Sequence, residues 1–230
     1  MLLRRGSGPR RGSRFIASTG DAWGIANSLW SLGYAVAEEG DWAEAQQLVE
    51  ESVRLFRELG DQHYLLLATR TLAWTHEELG DLECSRALHE ENLRRARALN
   101  RTQVEAITLG ALAMIAVDQN RIQDALSLLK ENVSIYHDLG DPLGTATNLS
   151  RVAHALALAG RPAPAVRLLS HAQTLADEIG ASVPWVARMN EETLAVIHTQ
   201  LDDAAFAEAW EHGRKLSPDE AVALAVDSVG

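Results

Sequence analysis

Apolar and small residues alternate with polar ones at an interval that repeats along the chain. Leu32, Leu72, Leu112 and Val152 lie 40 residues apart, and each is followed by a small residue: Gly33, Ala73, Ala113 and Ala153. A second small position keeps the same interval at Ala45, Ser85, Ala125, Ala165 and Ala205. It is the sixth residue of GDWAEA, GDLECS, NRIQDA, GRPAPA and QLDDAA. A small side chain at a fixed helical position lets a neighbouring helix approach closely, as ridge-into-groove packing requires. The pattern therefore predicts stacked helix pairs. It fails at Glu192 and Thr193, in the last pair, and terminal repeats are commonly atypical.

The punctuation between these segments has half that period. Gly20, Gly40, Gly60, Gly80, Asn100, Asn120, Gly140, Gly160 and Gly180 are each 20 residues apart. Gly and Asn enter the left-handed conformation that ends a helix at little cost. Asp21, Asp41, Asp61, Asp81 and Asp141 follow directly, and Asp is a favoured N-cap. Asp41 with Glu44 reads as a capping box, and Pro142 and Pro162 occupy first-turn positions that tolerate a missing N–H. Ser217-Pro218-Asp219-Glu220 repeats the logic before a short last helix. The expectation is ten helices in five pairs, at about 21–60, 61–100, 101–140, 141–180 and 181–216, then a capping helix at 217–227. Breaks are expected at every mark from Gly20 to Gly180. Phe206, Trp210, Leu216, Val222 and Leu224 are spaced to cover the last repeat's apolar face.

These units resemble tetratricopeptide repeats, through the G-D-x-x-x-A opening of the second helix and Leu32-Gly33 in the first. The familiar form repeats every 34 residues, so 40 implies longer helices. HEAT and armadillo repeats share the 40-residue range but account less well for the paired small positions. The implied fold is an all-α, right-handed tetratricopeptide-like solenoid over residues 20–230. The phrases LVEESVRLFRELGD, LHEENLRRARALN and LLKENVSIYHDLGD, and the tail Phe206–Val226, are also similar to the C-terminal repeat region of large bacterial signalling ATPases and of LuxR- and SARP-type transcriptional regulators. That resemblance implies a sensor or scaffold arm in signalling or transcriptional regulation. The sequence has no GxxxxGK[ST] phosphate loop and no DNA-reading module after Val226, so neither ATPase nor DNA-binding activity is expected with it.

Charge and chemistry narrow the function. The net charge is −11, and Arg4, Arg5, Arg10, Arg11 and Arg14 contribute +5, leaving −16 on the remainder. That balance disfavours nucleic-acid contact by the repeats. Residues 1–19, rich in Arg, Gly and Ser, read as a disordered basic lead-in, or as a basic arm for nucleic acid or acidic partners. They have no apolar segment of the secretory kind. No apolar run reaches membrane-spanning length, and the lone Cys84 excludes intrachain disulfides, which fits a cytoplasmic setting. The eight histidines make no H-E-x-x-H pair, and no G-x-S-x-G elbow occurs. The paired glutamates, Glu77-Glu78 among them, read as solvated faces, and Cys84 as a small packing residue. No catalytic group, metal site or cofactor is expected.

In tetratricopeptide arrays the first helix of each pair lines the concave surface. Aligning the pairs on Gly33 gives one column of Trp30, Arg70, Gly110, Ser150 and Asn190, and another of Tyr34, Trp74, Met114, His154 and Leu194. The columns are four residues apart and share one helical face. Trp30, Tyr34, Arg70, Trp74, Met114 and His154 are thus candidates for binding a protein or peptide partner, since aromatics and Arg are enriched at hot spots. The same side chains could instead fill the packing of longer helices. The leading expectation is a non-enzymatic interaction module. A small-molecule sensor is the alternative, and a closed apolar pocket would favour it. The first helix has no N-terminal partner yet carries Trp23, Ile25 and Leu29, so that end is expected to fray or to self-associate.

Overall fold

The computed structural model describes residues 11–229, with side chains from residue 21. All regular structure among them is helical. The helices are α1 (Arg11–Glu38), α2 (Trp42–Leu59), α3 (Gln62–Glu78), α4 (Leu82–Ala98), α5 (Thr102–Asp118), α6 (Ile122–Asp138), α7 (Pro142–Leu158), α8 (Pro162–Glu178), α9 (Pro184–His198), α10 (Asp203–Gly213) and α11 (Pro218–Asp227). They form two compact units, divided after Arg95 in the last turn of α4.

The expected turns are present from residue 40 onward. Gly40, Gly60, Gly80, Gly140, Gly160 and Gly180 have φ between 62° and 90°, and Asn100 and Asn120 have φ of 51° and 56°. At the first of them Gly40 N–H donates to Ala37 O and Asp41 N–H to Val36 O, the paired bonds of a left-handed helix end. Asp41 then accepts the Glu44 N–H at 3.2 Å, and Asp61, Asp81, Asp141 and Asp202 cap their helices likewise. The reciprocal capping box forms at Ser217 and Glu220, whereas Asp41–Glu44 makes the forward bond. The predicted break at Gly20 is corrected: α1 runs through it from Arg11. Gly20 is thus an interior helical residue, at a cost of about 1 kcal/mol. Of the expected basic lead-in, residues 1–10 lie outside the described residues, and 11–19 belong to α1.

In the first unit α1 pairs with α2, and α3 packs on α2. Val49, Val53, Phe56, Leu65, Ala68 and Leu72 form its core, bordered by Trp23, Trp30 and Tyr64. The small positions do what their spacing implies. A methyl placed on Gly33 would lie 2.6 Å from Val49 Cγ2 and 3.3 Å from the Ala45 carbonyl oxygen, so α1 and α2 touch nearly backbone to backbone. Leu32 is 52% exposed, while its counterpart Leu72 is 6%. α3 has α1 and α2 before it, and α1 has no described element before it.

A buried polar rung, absent from the sequence expectations, ties helices within pairs. Ser52 Oγ donates to Ala26 O at 2.8 Å, Asn92 Nδ2 to Leu66 O at 3.1 Å, and Asn132 Nδ2 to Ala106 O, each across 26 residues. The fourth pair has Ala172 at that position.

The second unit is centred on α5 to α8, with Leu126, Leu129, Leu149, Leu156, Leu168 and Leu169 buried. α9 packs on α7 and α10 on α8. Thr193, where the small-residue pattern fails, is fully buried and donates to Met189 O at 2.7 Å. Its hydroxyl thus has a partner inside its own helix, which permits the substitution. α11 packs on α6, α7 and α8, burying Ala221, Val222 and Ala225. This differs from the expectation that it covers the last pair, although Phe206, Trp210, Leu216 and Leu224 do pack on the same core. His137 and Asp219 pair at 3.1 Å across the α6–α11 contact.

Candidate functional site

The four candidates in the first unit do not share one environment. Trp30 is half-buried. Its indole N–H donates to Thr71 Oγ1 at 3.0 Å, and its ring meets Tyr64 edge-on at 5.9 Å. It joins Trp23, Phe56 and Tyr64 in an aromatic box against the core, where Trp23 also donates to Asp61 at 3.0 Å.

One turn further on, the aromatic surface opens. Tyr34 is 43% exposed, and its ring lies 5.9 Å from that of Trp74. Trp42, in the first turn of α2, closes the group with its ring 5.0 Å from Trp74 in a T-shaped contact. Trp74 Nε1–H donates to Glu78 at 3.2 Å. The Tyr34 hydroxyl lies on the Glu38 side of the patch. Burial, together with the charge and hydrogen bond of Glu38, pushes the phenol upward, and the Arg70 charge opposes this. Tyr34, Trp42 and Trp74 therefore make an aromatic patch edged by Glu38, Glu78 and Arg70. Aromatic faces beside carboxylates suit a cationic or aromatic guest. Trp42 was missed because the columns considered only the first helix of each pair. The signal was present, since tryptophan directly follows the Gly40-Asp41 turn.

The second unit treats the columns differently. Met114 is half-buried. His154 is 9% exposed, and its Nδ1 lies 2.9 Å from Thr193 Oγ1, so the side chain faces α9. Burial lowers its basicity against the opposing charge of Glu192. Ser150 is buried, and Gly110 leaves room for Arg151: an added Cβ would lie 2.3 Å from the guanidinium Nη1. Arg151 in turn sits 4.8 Å over the Trp185 ring. His154 and Ser150 are thus buried rather than presented on a surface. Beside them, residues of α7, α8 and α9, among them Thr147, Ser150, Val186 and Asn190, line a cavity of about 100 Å³, below the roughly 300–1,000 Å³ of small-molecule pockets.

Two further expectations change. Cys84 is exposed, and the buried small residue beside it is Ser85. Glu77 is not a solvated carboxylate: its Oε1 accepts Ser85 Oγ at 2.8 Å and lies 3.1 Å from the buried His89 Nε2. Both follow from helix phase, because position 85 rather than 84 faces α3. No helix among the described residues is long and apolar enough to cross a membrane.

Residues 24–98 match the tetratricopeptide repeat family. No curated protein compared with the chain matches it significantly. Two crystal structures of nearly identical TPR-like repeats, from a Podosopora anserina protein described as a kinesin light chain, are similar to it. Each covers 82% of this chain and 92% of its own at 19% identity, with a TM-score of 0.62 for one and 0.63 for a point variant of the same protein. At that identity the likeness establishes the fold: an all-α, tetratricopeptide-like helical solenoid.

Proposed function

We propose that the chain is a protein-interaction module whose first unit captures a peptide segment on the Tyr34–Trp42–Trp74 patch. The observation that carries this is an aromatic trio left partly open to solvent. Its rings are held at 5.0–5.9 Å by neighbours rather than by the core, whereas the Trp23–Trp30–Tyr64 box beside it is committed to packing. Rigid aromatic anchors with polar groups at the rim are the composition of binding hot spots. Glu38 and Glu78, with the −11 net charge, favour a segment carrying an Arg or Lys beside an apolar or aromatic anchor.

The similarity of LVEESVRLFRELGD and LLKENVSIYHDLGD to repeat regions of bacterial signalling ATPases and LuxR- and SARP-type regulators supports a role as the sensor or scaffold arm of such a regulator. The α7–α9 cavity is only about 100 Å³, and the larger hollows, along α1 at Ile25 and Leu32 and beside Trp210, are open clefts rather than closed apolar pockets, which makes a small-molecule sensor the weaker reading. Ile25 and Leu32, 55% and 52% exposed on α1, support self-association through the N-terminal end, which sedimentation across a concentration series checks. The main test is selection from a displayed random-peptide library on the wild-type chain and on Trp74→Ala. Enrichment of basic–aromatic sequences by the wild type alone supports the proposal. Equal enrichment by both, or by neither, removes it.

A further inference from the structure

The turn between α3 and α4 gathers three different metal-ligating side chains. His76 lies in the last turn of α3, Asp81 is the N-cap of α4, and Cys84 lies in its first turn. One donor atom from each falls within 4.8 Å of the other two. His76 Nδ1 is 3.4 Å from Asp81 Oδ2. The Cys84 thiol lies within 4.8 Å of the Asp81 carboxylate, and the Asp81 Oδ1 atom caps the Cys84 N–H at 3.1 Å. Two ligands bound tetrahedrally at zinc-like lengths of about 2.0–2.3 Å stand roughly 3.3–3.6 Å apart. The His–Asp separation already has that value, and rotation about the Cys84 side chain closes the third.

Packing does not call for this combination. Positions equivalent to His76 hold Val36, Ala116 and Leu156, and positions equivalent to Cys84 hold Glu44, Asp124 and Pro164. A polar ring therefore replaces an apolar residue in the one pair that also supplies both a thiol and a capping carboxylate. The His76 side chain is 14% exposed. Its Nε2 lies 3.4 Å from Gln46 Nε2, with Nδ1 on the Asp81 side; ligation through Nδ1 places the ring proton on Nε2, where the Gln46 carboxamide can accept it once its oxygen is turned to the ring.

We infer that His76, Asp81 and Cys84 form a three-ligand site for a divalent zinc-class ion. A thiolate with an imidazole and a carboxylate selects zinc over magnesium or calcium, which prefer oxygen shells. Asp81 and Cys84 face solvent, leaving a fourth position for water or for a donor brought by a partner. Binding replaces the Sγ–H bond with a metal–thiolate bond and uses the neutral imidazole with its proton on Nε2, so one proton per ion passes to solvent from Cys84. This site is separate from the aromatic patch and does not rest on it.

Cobalt titration of the full chain under reducing conditions tests the inference, because a thiolate ligand gives a charge-transfer band that histidines and carboxylates alone do not. One Co²⁺ per chain, with that band and displacement by Zn²⁺, is expected. Cys84→Ser and His76→Gln should abolish the band. Asp81→Asn, which keeps the cap through its amide oxygen, should weaken binding on the order of 10–100-fold. Circular dichroism should show all three variants folded, and His63→Gln, outside the site, should bind as the wild type does. Absence of the band at excess cobalt overturns the inference. So does a band that survives in His76→Gln, or a stoichiometry of one ion per two chains.

Discussion

Gly24 and Gly33 lie in the same helix, and the same substitution at each should act with opposite sign. Replacing an interior helical Gly by Ala stabilises by about 0.5–1 kcal/mol when the site has room. At Gly24 an added Cβ meets nothing within 4 Å, so Gly24→Ala should gain that amount. At Gly33 it would stand 2.6 Å from Val49 Cγ2 and 3.2 Å from Leu48 Cβ. Val49 is fully buried and β-branched, hence stiff about χ1, so α1 and α2 must separate. Overpacking of that kind costs about 1–3 kcal/mol. Set against the helix-propensity gain, Gly33→Ala should lose roughly 0–2.5 kcal/mol. Urea melts of the two variants and the wild type measure both. If Gly33→Ala stabilises as much as Gly24→Ala, the close α1–α2 approach, and with it the packing role of the small positions, is wrong.

Two other predictions concern the second unit. Burial holds His154 and His171 below the ordinary imidazole range, against the pull of Glu192 and Glu178 respectively. The fold therefore binds fewer protons than the unfolded chain. Their contribution is complete above about pH 6.5, the unfolded value, and is lost as pH falls from there through the lowered folded values. Replacing His171 by Gln should flatten the difference between melts at about pH 7.5 and about pH 5.5, either side of that value, and an unchanged difference would contradict this. Removing α11, or placing a charge in it with Val222→Asp, should lower the melting temperature and expose the apolar face of α6 and α8. An unaltered melt would show that α11 does not cap them.

The chain announces its fold because the turns repeat their chemistry: Gly or Asn in the left-handed position, an Asp after half of them, and a small residue early in the helix after every second one. Gly20 misled because a Gly-Asp pair can also be carried inside a helix, at about 1 kcal/mol for the glycine, as α1 does. The proposed patch was partly legible. Tyr34 and Trp74 stand in the columns and come together in the fold, but Trp30 shares their spacing and is held by Thr71 and Tyr64 against the core. His154 is turned toward Thr193, a partner 39 residues away. Trp42 and the His76–Asp81–Cys84 group join side chains from two helices across a turn, which a search along one helical face cannot see. The buried rungs of Ser52, Asn92 and Asn132 were hidden because their acceptors are backbone carbonyls, which carry no sequence signal.

The claim that the Tyr34–Trp42–Trp74 patch is a recognition surface is tested most directly by measuring one selected basic–aromatic peptide against two tryptophan variants. Trp74→Ala should weaken binding by about 2 kcal/mol, the hot-spot scale, or roughly 30-fold in Kd, with the melt little changed. Trp30→Ala should cost about 2–4 kcal/mol of stability, since a partly buried aromatic and one hydrogen bond are lost, while the folded fraction binds normally. An unchanged Kd for Trp74→Ala, with binding lost instead in Trp30→Ala at full stability, would contradict the account.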